Sequence, residues 1–100
     1  MSQAPLTDRL RAKIARLFSE DDRAAAEQWL LTECDDEHIH LGKMGLDGLE
    51  RIRAAVLKLS NGSMDILMRD TRIAQRDWRD ALVFAGFGND LQAHVRWMES

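Results

Sequence analysis

Residues 49–63 read LERIRAAVLKLSNGS and contain the clearest structural signal in the chain. The apolar side chains in this stretch and just before it recur at steps of three and four residues, at Leu46, Leu49, Ile52, Val56 and Leu59. This spacing places them on one face of a helix. We therefore expect Ile52, Val56 and Leu59 to be nearly fully buried.

The end of this helix is marked by Asn61-Gly62. Asn-Gly also forms turns between strands, but the flanking period is helical, so Gly62 is interpreted as the left-handed residue that closes the helix. Ser63 can cap a following helix at once. Because the connection is so short, the third and fourth helices of the chain are expected to form an antiparallel hairpin.

The same period predicts two helices before this pair. The first is expected from Thr7 to Phe18, and the second from a cap at Ser19 to about Cys34. Residues 35–48 hold three glycines among charged side chains, which indicates a loop. Long loops of this kind are often functional.

Two further helices are predicted after the hairpin. The fourth helix should break near Arg76, where Asp77 can cap a fifth helix that ends at Gly86. Phe87 is expected to fold back onto the end of that fifth helix. A last short helix should follow Asn89 or Asp90, with one side formed by Leu91, His94, Val95 and Met98.

The composition is that of a globular protein. Of 100 residues, 45% are hydrophobic and 31% charged, so residues 1–100 are expected to form a single all-α domain of five to six short helices. The net charge is -3, which provides no general attraction to nucleic acid or to an anionic membrane.

The cysteine content and the apolar segments indicate a cytoplasmic protein. Cys34 is the single cysteine, so no intramolecular disulfide can form, as is typical of a reducing compartment. The N-terminus lacks the apolar segment of a signal peptide. The longest uncharged apolar run, residues 81–88, is far shorter than the ~20 residues that a membrane span needs.

Two motifs in the second half of the chain carry a family resemblance. Residues 51–62 read RIRAAVLKLSNG, and residues 76–87 read RDWRDALVFAGF. They resemble a family of small bacterial hypothetical proteins that share an AVLKLSNG helix end and a DWRDLL helix start. The resemblance covers about half of the chain. It implies a bacterial, cytosolic, helical protein and supplies no catalytic residues.

One cluster has the residue types of a metal site. Residues 33–40 read ECDDEHIH, so that Cys34, His38 and His40 could supply a thiolate and two imidazoles to Zn²⁺. The Cys-x3-His-x-His spacing is not a common structural zinc pattern, and His94 could join only through the tertiary fold. An acidic helix end with a half-buried cysteine is the simpler interpretation, and no metal or other cofactor is predicted.

The sequence favours a non-catalytic role over an enzymatic one. It contains no nucleophile elbow, phosphate-binding loop or dinucleotide fingerprint, and no catalytic residue is predicted. The hairpin also suggests a helix-turn-helix DNA-binding protein, but residues 63–68 at the start of the fourth helix are apolar and acidic rather than basic.

The remaining candidate is a set of four arginines at steps of three and four residues, Arg69, Arg72, Arg76 and Arg79. Interleaved aspartates make a solvated face with local ion pairs the simpler interpretation. The functional alternative is a surface for an acidic protein partner. We therefore predict a non-catalytic protein-interaction module of the adaptor, regulatory or toxin-neutralising type, with DNA binding and metal-dependent activity as alternatives.

Overall fold

The structure, a computed structural model, describes residues 5–39 and 45–100. These residues form six helices, which are α1 (Asp8–Leu17), α2 (Glu20–Glu33), α3 (Gly45–Ser60), α4 (Met64–Arg76), α5 (Trp78–Ala85) and α6 (Ala93–Glu99). None of the residues in the two described ranges lies in a strand. The predicted all-α fold with five to six helices is confirmed.

Polar side chains begin three of the helices at the predicted positions. Thr7, Ser63 and Asp77 each accept a hydrogen bond from a backbone N–H inside the helix that follows. Such a bond satisfies one of the N–H groups that the first turn of a helix leaves open. Ser19 occupies the corresponding position before α2, but its side chain makes no capping hydrogen bond.

The start of α3 differs from the prediction. The helix begins at Gly45, so residues 45–48 are helical rather than part of a loop. Gly48 is buried, and packing of this kind can outweigh the ~1 kcal/mol by which glycine disfavours a helix. Residues 35–39 do form a turn. The rest of the predicted loop, residues 40–44, lies outside the described residues.

The connection between α3 and α4 requires glycine for two reasons. Asn61 and Gly62 have φ angles of 48° and 85°, in the left-handed region. A Cβ atom on Gly62 would lie 2.4 Å from the carbonyl oxygen of Leu17, at the end of α1. The predicted left-handed residue is confirmed, and α3 and α4 pack against each other. Their antiparallel direction stays a prediction.

α3 is the central helix of the fold. It packs against α1, α4, α5 and α6, and residues 51–57 are buried without interruption. Ile52 and Val56 are fully buried, as predicted. Leu59 is only partly buried, whereas Leu57, outside the predicted face, is fully buried. The prediction for Leu59 is wrong, and the burial of Leu57 shows that neighbours cover α3 on more than one face.

The end of α5 agrees with the sequence-based prediction, whereas the start of α6 differs from it. Gly86 has a φ angle of 81°, and the N–H of Phe87 donates to the carbonyl of Leu82 at 2.8 Å while the Phe87 ring packs into the core. The predicted cap is therefore confirmed. Leu91, expected on the apolar side of the last helix, precedes that helix and is 69% exposed.

Across both described ranges, no helix has the length and the apolar character needed to cross a membrane.

Candidate functional site

The structure places the members of the predicted metal cluster in different environments. Cys34 follows α2 with its side chain fully buried in the core, and this burial raises the pKa of its thiol to about 12. Because metals bind the thiolate form, a buried and protonated cysteine is a poor ligand. His38 is exposed to solvent instead.

His38 belongs to a hydrogen-bonded turn. Its Nδ1 lies 2.6 Å from Oδ1 of Asp35, and the same oxygen accepts the backbone N–H of His38 at 3.1 Å. This hydrogen bond raises the pKa of the imidazole above its ordinary value. Among the residues that the structure describes, no group of three or more His, Cys, Asp or Glu side chains could hold a metal ion. His40 lies outside those residues, so the metal hypothesis stays a prediction.

The four arginines do not lie along one helix. Arg69, Arg72 and Arg76 belong to α4, and Arg79 belongs to α5. Asp77 between the two helices has extended backbone angles, φ -155° and ψ 103°. The predicted break near Arg76 is confirmed, and the continuous stripe that an unbroken helix would give is absent.

Two of these arginines are engaged within the fold. Nε of Arg69 donates to Oδ1 of Asp70 at 3.2 Å. Nη1 of Arg72 donates to Oε1 of Glu33 at 3.1 Å, and the Arg72 guanidinium lies 5.2 Å from the centre of the Trp29 ring. Arg72 therefore joins α4 to α2, and its donors are less available to a partner.

The other two arginines keep their donors open. Arg76 is exposed, and within residues 5–39 and 45–100 it makes no hydrogen bond or ion pair. The guanidinium of Arg79 lies 5.3 Å from the centre of the Trp78 ring. Arg79 also forms a loose ion pair with Asp77, but the 3.9 Å between its Nε and Oδ1 of Asp77 is beyond hydrogen-bond distance.

An apolar surface lies next to Arg79 on α5. Arg79, Asp80, Val83 and Phe84 are all exposed and, at spacings of one and four residues, lie on one side of the helix, which we call the α5 face. Val83 is 66% and Phe84 62% exposed. The sequence contained the signal for this surface, because both residues lie outside the apolar stripe that α5 buries.

A second feature is a cleft of about 450 Å³ between α1, α3 and α6. It is lined by titratable side chains from three helices, namely Arg9, Asp47, Glu50, Arg51 and His94, together with Gly48, Leu91, Gln92 and Val95. The sequence prediction missed this cleft, because its residues are up to 86 positions apart and no local pattern links them.

Glu50 forms one wall of the cleft. Its carboxylate accepts hydrogen bonds from Nε of Arg9 at 3.0 Å, from Nη2 of Arg9 and from the hydroxyl of Thr7. Burial alone would raise the pKa of this carboxyl, but the bonds from Arg9 and Thr7 outweigh it and hold the pKa below its ordinary value. Glu50 is therefore ionised and neutralised by Arg9.

Arg51 and His94 also line the cleft. Arg51 is 9% and His94 6% exposed. Within the described parts of the chain, Nε of Arg51 and Nδ1 of His94 are buried and have no hydrogen-bond partner. Burial, together with the positive charges of Arg9 and Arg51, lowers the pKa of His94 despite the opposing carboxylates of Glu50 and Asp47. The imidazole is therefore neutral at pH 7.

Comparisons with known proteins give no functional information. No protein-family model matches the chain, and neither the curated proteins nor the solved structures contain a match. The resemblance of residues 51–62 and 76–87 to small bacterial proteins therefore stays a prediction.

Proposed function

We propose that the protein is a non-catalytic interaction module of the bacterial cytosol, of an adaptor, regulatory or toxin-neutralising type, and that it binds another protein through the α5 face. The observation that carries this proposal is the exposure of Val83 and Phe84, at 66% and 62%. Single exposed apolar residues are ordinary. Two adjacent large ones on a helix that buries its other side form a contiguous surface that a partner can cover.

The arginines beside this surface indicate the chemistry of the partner. Arg76 and Arg79 bring open guanidinium donors to the N-terminal side of the α5 face, and such donors suit the carboxylates of a protein. The ring of Trp78 supports the Arg79 guanidinium. The partner segment is therefore apolar where it covers Phe84 and acidic where it meets Arg79.

DNA is a less suitable partner for the same surface. Asp77 and Asp80 lie beside Arg79 and would repel phosphates. The buried face of α4, which would be the recognition helix, includes Leu67, Thr71 and Ala74. Its exposed face combines Asp65 with arginines, so it lacks the uniformly basic character of a nucleic-acid surface.

Site-specific crosslinking in cells of the source organism tests the proposal. A photo-crosslinking amino acid replaces Val83 in the full chain, and a matched control carries it in place of Leu91, which is 69% exposed and lies outside α5. We expect a heteromeric protein adduct from position 83 that is absent from position 91. Phe84→Ser should reduce that adduct, as should Arg79→Glu.

Three outcomes would contradict the proposal. Equal crosslinking from positions 83 and 91 would show a non-specific apolar surface. A crosslink only to a second copy of the chain would make the α5 face a self-association surface. Salt-dependent binding to random duplex DNA that Arg76→Glu and Arg79→Glu abolish would favour the DNA-binding alternative.

A further inference from the structure

The cleft between α1, α3 and α6 contains buried polar atoms that the rest of the fold does not satisfy. Nε of Arg51 and Nδ1 of His94 have no hydrogen-bond partner among the described residues, and both side chains line the cleft. Buried polar groups in native proteins are nearly always hydrogen-bonded, because an unsatisfied one is costly. Two such atoms in one cleft therefore indicate a ligand that supplies the missing acceptor.

The charge balance of the cleft is also incomplete. Arg9 neutralises Glu50, whereas Arg51 is 9% exposed and forms no ion pair with any described carboxylate. Residues 1–4 and 40–44, which the structure does not describe, contain no acidic side chain. Nη2 of Arg51 donates to the carbonyl of Phe87, which fixes the guanidinium and leaves its Nε–H unused.

We infer that this cleft binds a small organic carboxylate, with one carboxylate group held by the Nε–H of Arg51 and Nδ1 of His94. A neutral imidazole can carry its proton on Nδ1, so the two residues can supply two donors to the two carboxylate oxygens. The Phe87 ring, whose centre is 6.3 Å from that of His94, packs against the imidazole. Both atoms have almost no accessible surface in the ligand-free chain, so a ligand in the cleft reaches them only when the side chains that cover them move aside.

Other walls of the cleft define the rest of the ligand. Leu91 and Val95 add an apolar surface beside the donors, which suits an alkyl or aryl body. Asp47 also lines the cleft, and its carboxylate repels a doubly charged phosphate about twice as strongly as a singly charged carboxylate. A volume of about 450 Å³ is within the ~300–1,000 Å³ range of small-molecule sites.

NMR titration of the full-length, ¹⁵N-labelled protein tests the inference. The probes are sodium hexanoate, the uncharged hexanamide as its matched control, and inorganic phosphate. We expect hexanoate to shift the Arg51 Nε–H and His94 ring nitrogen signals saturably, while hexanamide and phosphate at the same concentrations leave them unchanged. These signals report on the two proposed donors directly.

Two variants test the hydrogen-bond donors of Arg51 and His94 separately from the positive charge of Arg51. Arg51→Lys keeps a positive charge but removes the Nε–H, and His94→Phe keeps a ring against Phe87 but removes Nδ1. Each should weaken hexanoate binding by roughly tenfold or more, as expected for losing a hydrogen bond to a charged group. Arg96→Lys is the matched control, because Arg96 is exposed and pairs with Asp90 outside the cleft.

The inference is overturned if hexanoate leaves both wild-type signals unshifted, if hexanamide binds as well as hexanoate, or if phosphate binds as well as hexanoate. Unchanged affinity in both folded cleft variants would also overturn it. Should either variant fail to fold, the atom-specific shifts in the wild-type protein still decide the question. The result does not depend on the proposed partner, because crosslinking from position 83 is a separate measurement.

Discussion

At the scale of single residues, Gly62 is required both by its own backbone conformation and by the close approach of another helix. Its φ angle of 85° favours glycine, and its missing Cβ allows the end of α1 to approach the α3–α4 connection. Gly86 shares the first property, with a φ angle of 81°, but not the second. Among the described residues, a Cβ there would meet only Nζ of Lys58, at 3.8 Å, which is ordinary contact with a flexible side chain.

This contrast predicts different costs for the same substitution. Gly86→Ala should lower the free energy of unfolding by about 1–2 kcal/mol, the cost of left-handed geometry for a residue with a Cβ. Gly62→Ala should cost more, because its Cβ would also collide with the Leu17 carbonyl oxygen at 2.4 Å. Urea denaturation of both variants measures the difference. Equal losses in the two variants would mean that α1 does not constrain this turn.

At the scale of helices, α3 determines most of the packing. It packs against four other helices, and the small side chains of Ala54 and Ala55 are fully buried within its central segment. The apolar stripe in the sequence identified this helix and its end at Gly62. It did not identify which leucine contributes most, because a period describes one face, whereas neighbours cover α3 on several sides.

Leu57 and Leu59 provide a matched pair for testing this arrangement. Leu57 is fully buried and Leu59 partly buried, although the apolar stripe includes Leu59 and omits Leu57. We expect Leu57→Ala to destabilise the protein by about 2–5 kcal/mol, as fully buried leucines do, and Leu59→Ala to cost clearly less. Chemical denaturation gives both values. The reverse order would show that the stripe alone describes the packing of α3.

Features that depend on neighbouring residues could be predicted from the sequence, whereas features that depend on the tertiary fold could not. Thr7, Ser63, Asp77 and Gly86 mark helix ends through bonds to their immediate neighbours, and the sequence identified each of them. The glycines of residues 35–48 predict a loop at Gly48, whereas its place in α3 depends on burial by distant residues. The cleft could not be predicted for a similar reason, since its donors on α3 and α6 come together only in the folded chain.

At the scale of the whole molecule, the last helix, α6, packs against the first, α1. Nη1 of Arg16 donates to the carbonyl of Ser100 at 2.8 Å, and Nζ of Lys13 lies 4.7 Å from the centre of the Trp97 ring. Met98 of α6 is fully buried in the same core as α1 and α3. Because α6 contacts both α1 and α3, its side chains complete the core that the N-terminal helices form.

Because α6 completes the shared core, a substitution in α6 should also shift the unfolding transition that is measured in α2. Met98→Ala should lower the free energy of unfolding by about 2–5 kcal/mol, and the whole chain should unfold in one cooperative transition. The fluorescence of Trp29 on α2, measured in proteins without the other two tryptophans, should therefore shift its urea midpoint together with far-UV circular dichroism. Leu91→Ala is the control, because exposed substitutions change stability by about 0.5 kcal/mol or less. A dichroism transition that moves while the Trp29 midpoint stays fixed would mean that α6 unfolds as a separate unit.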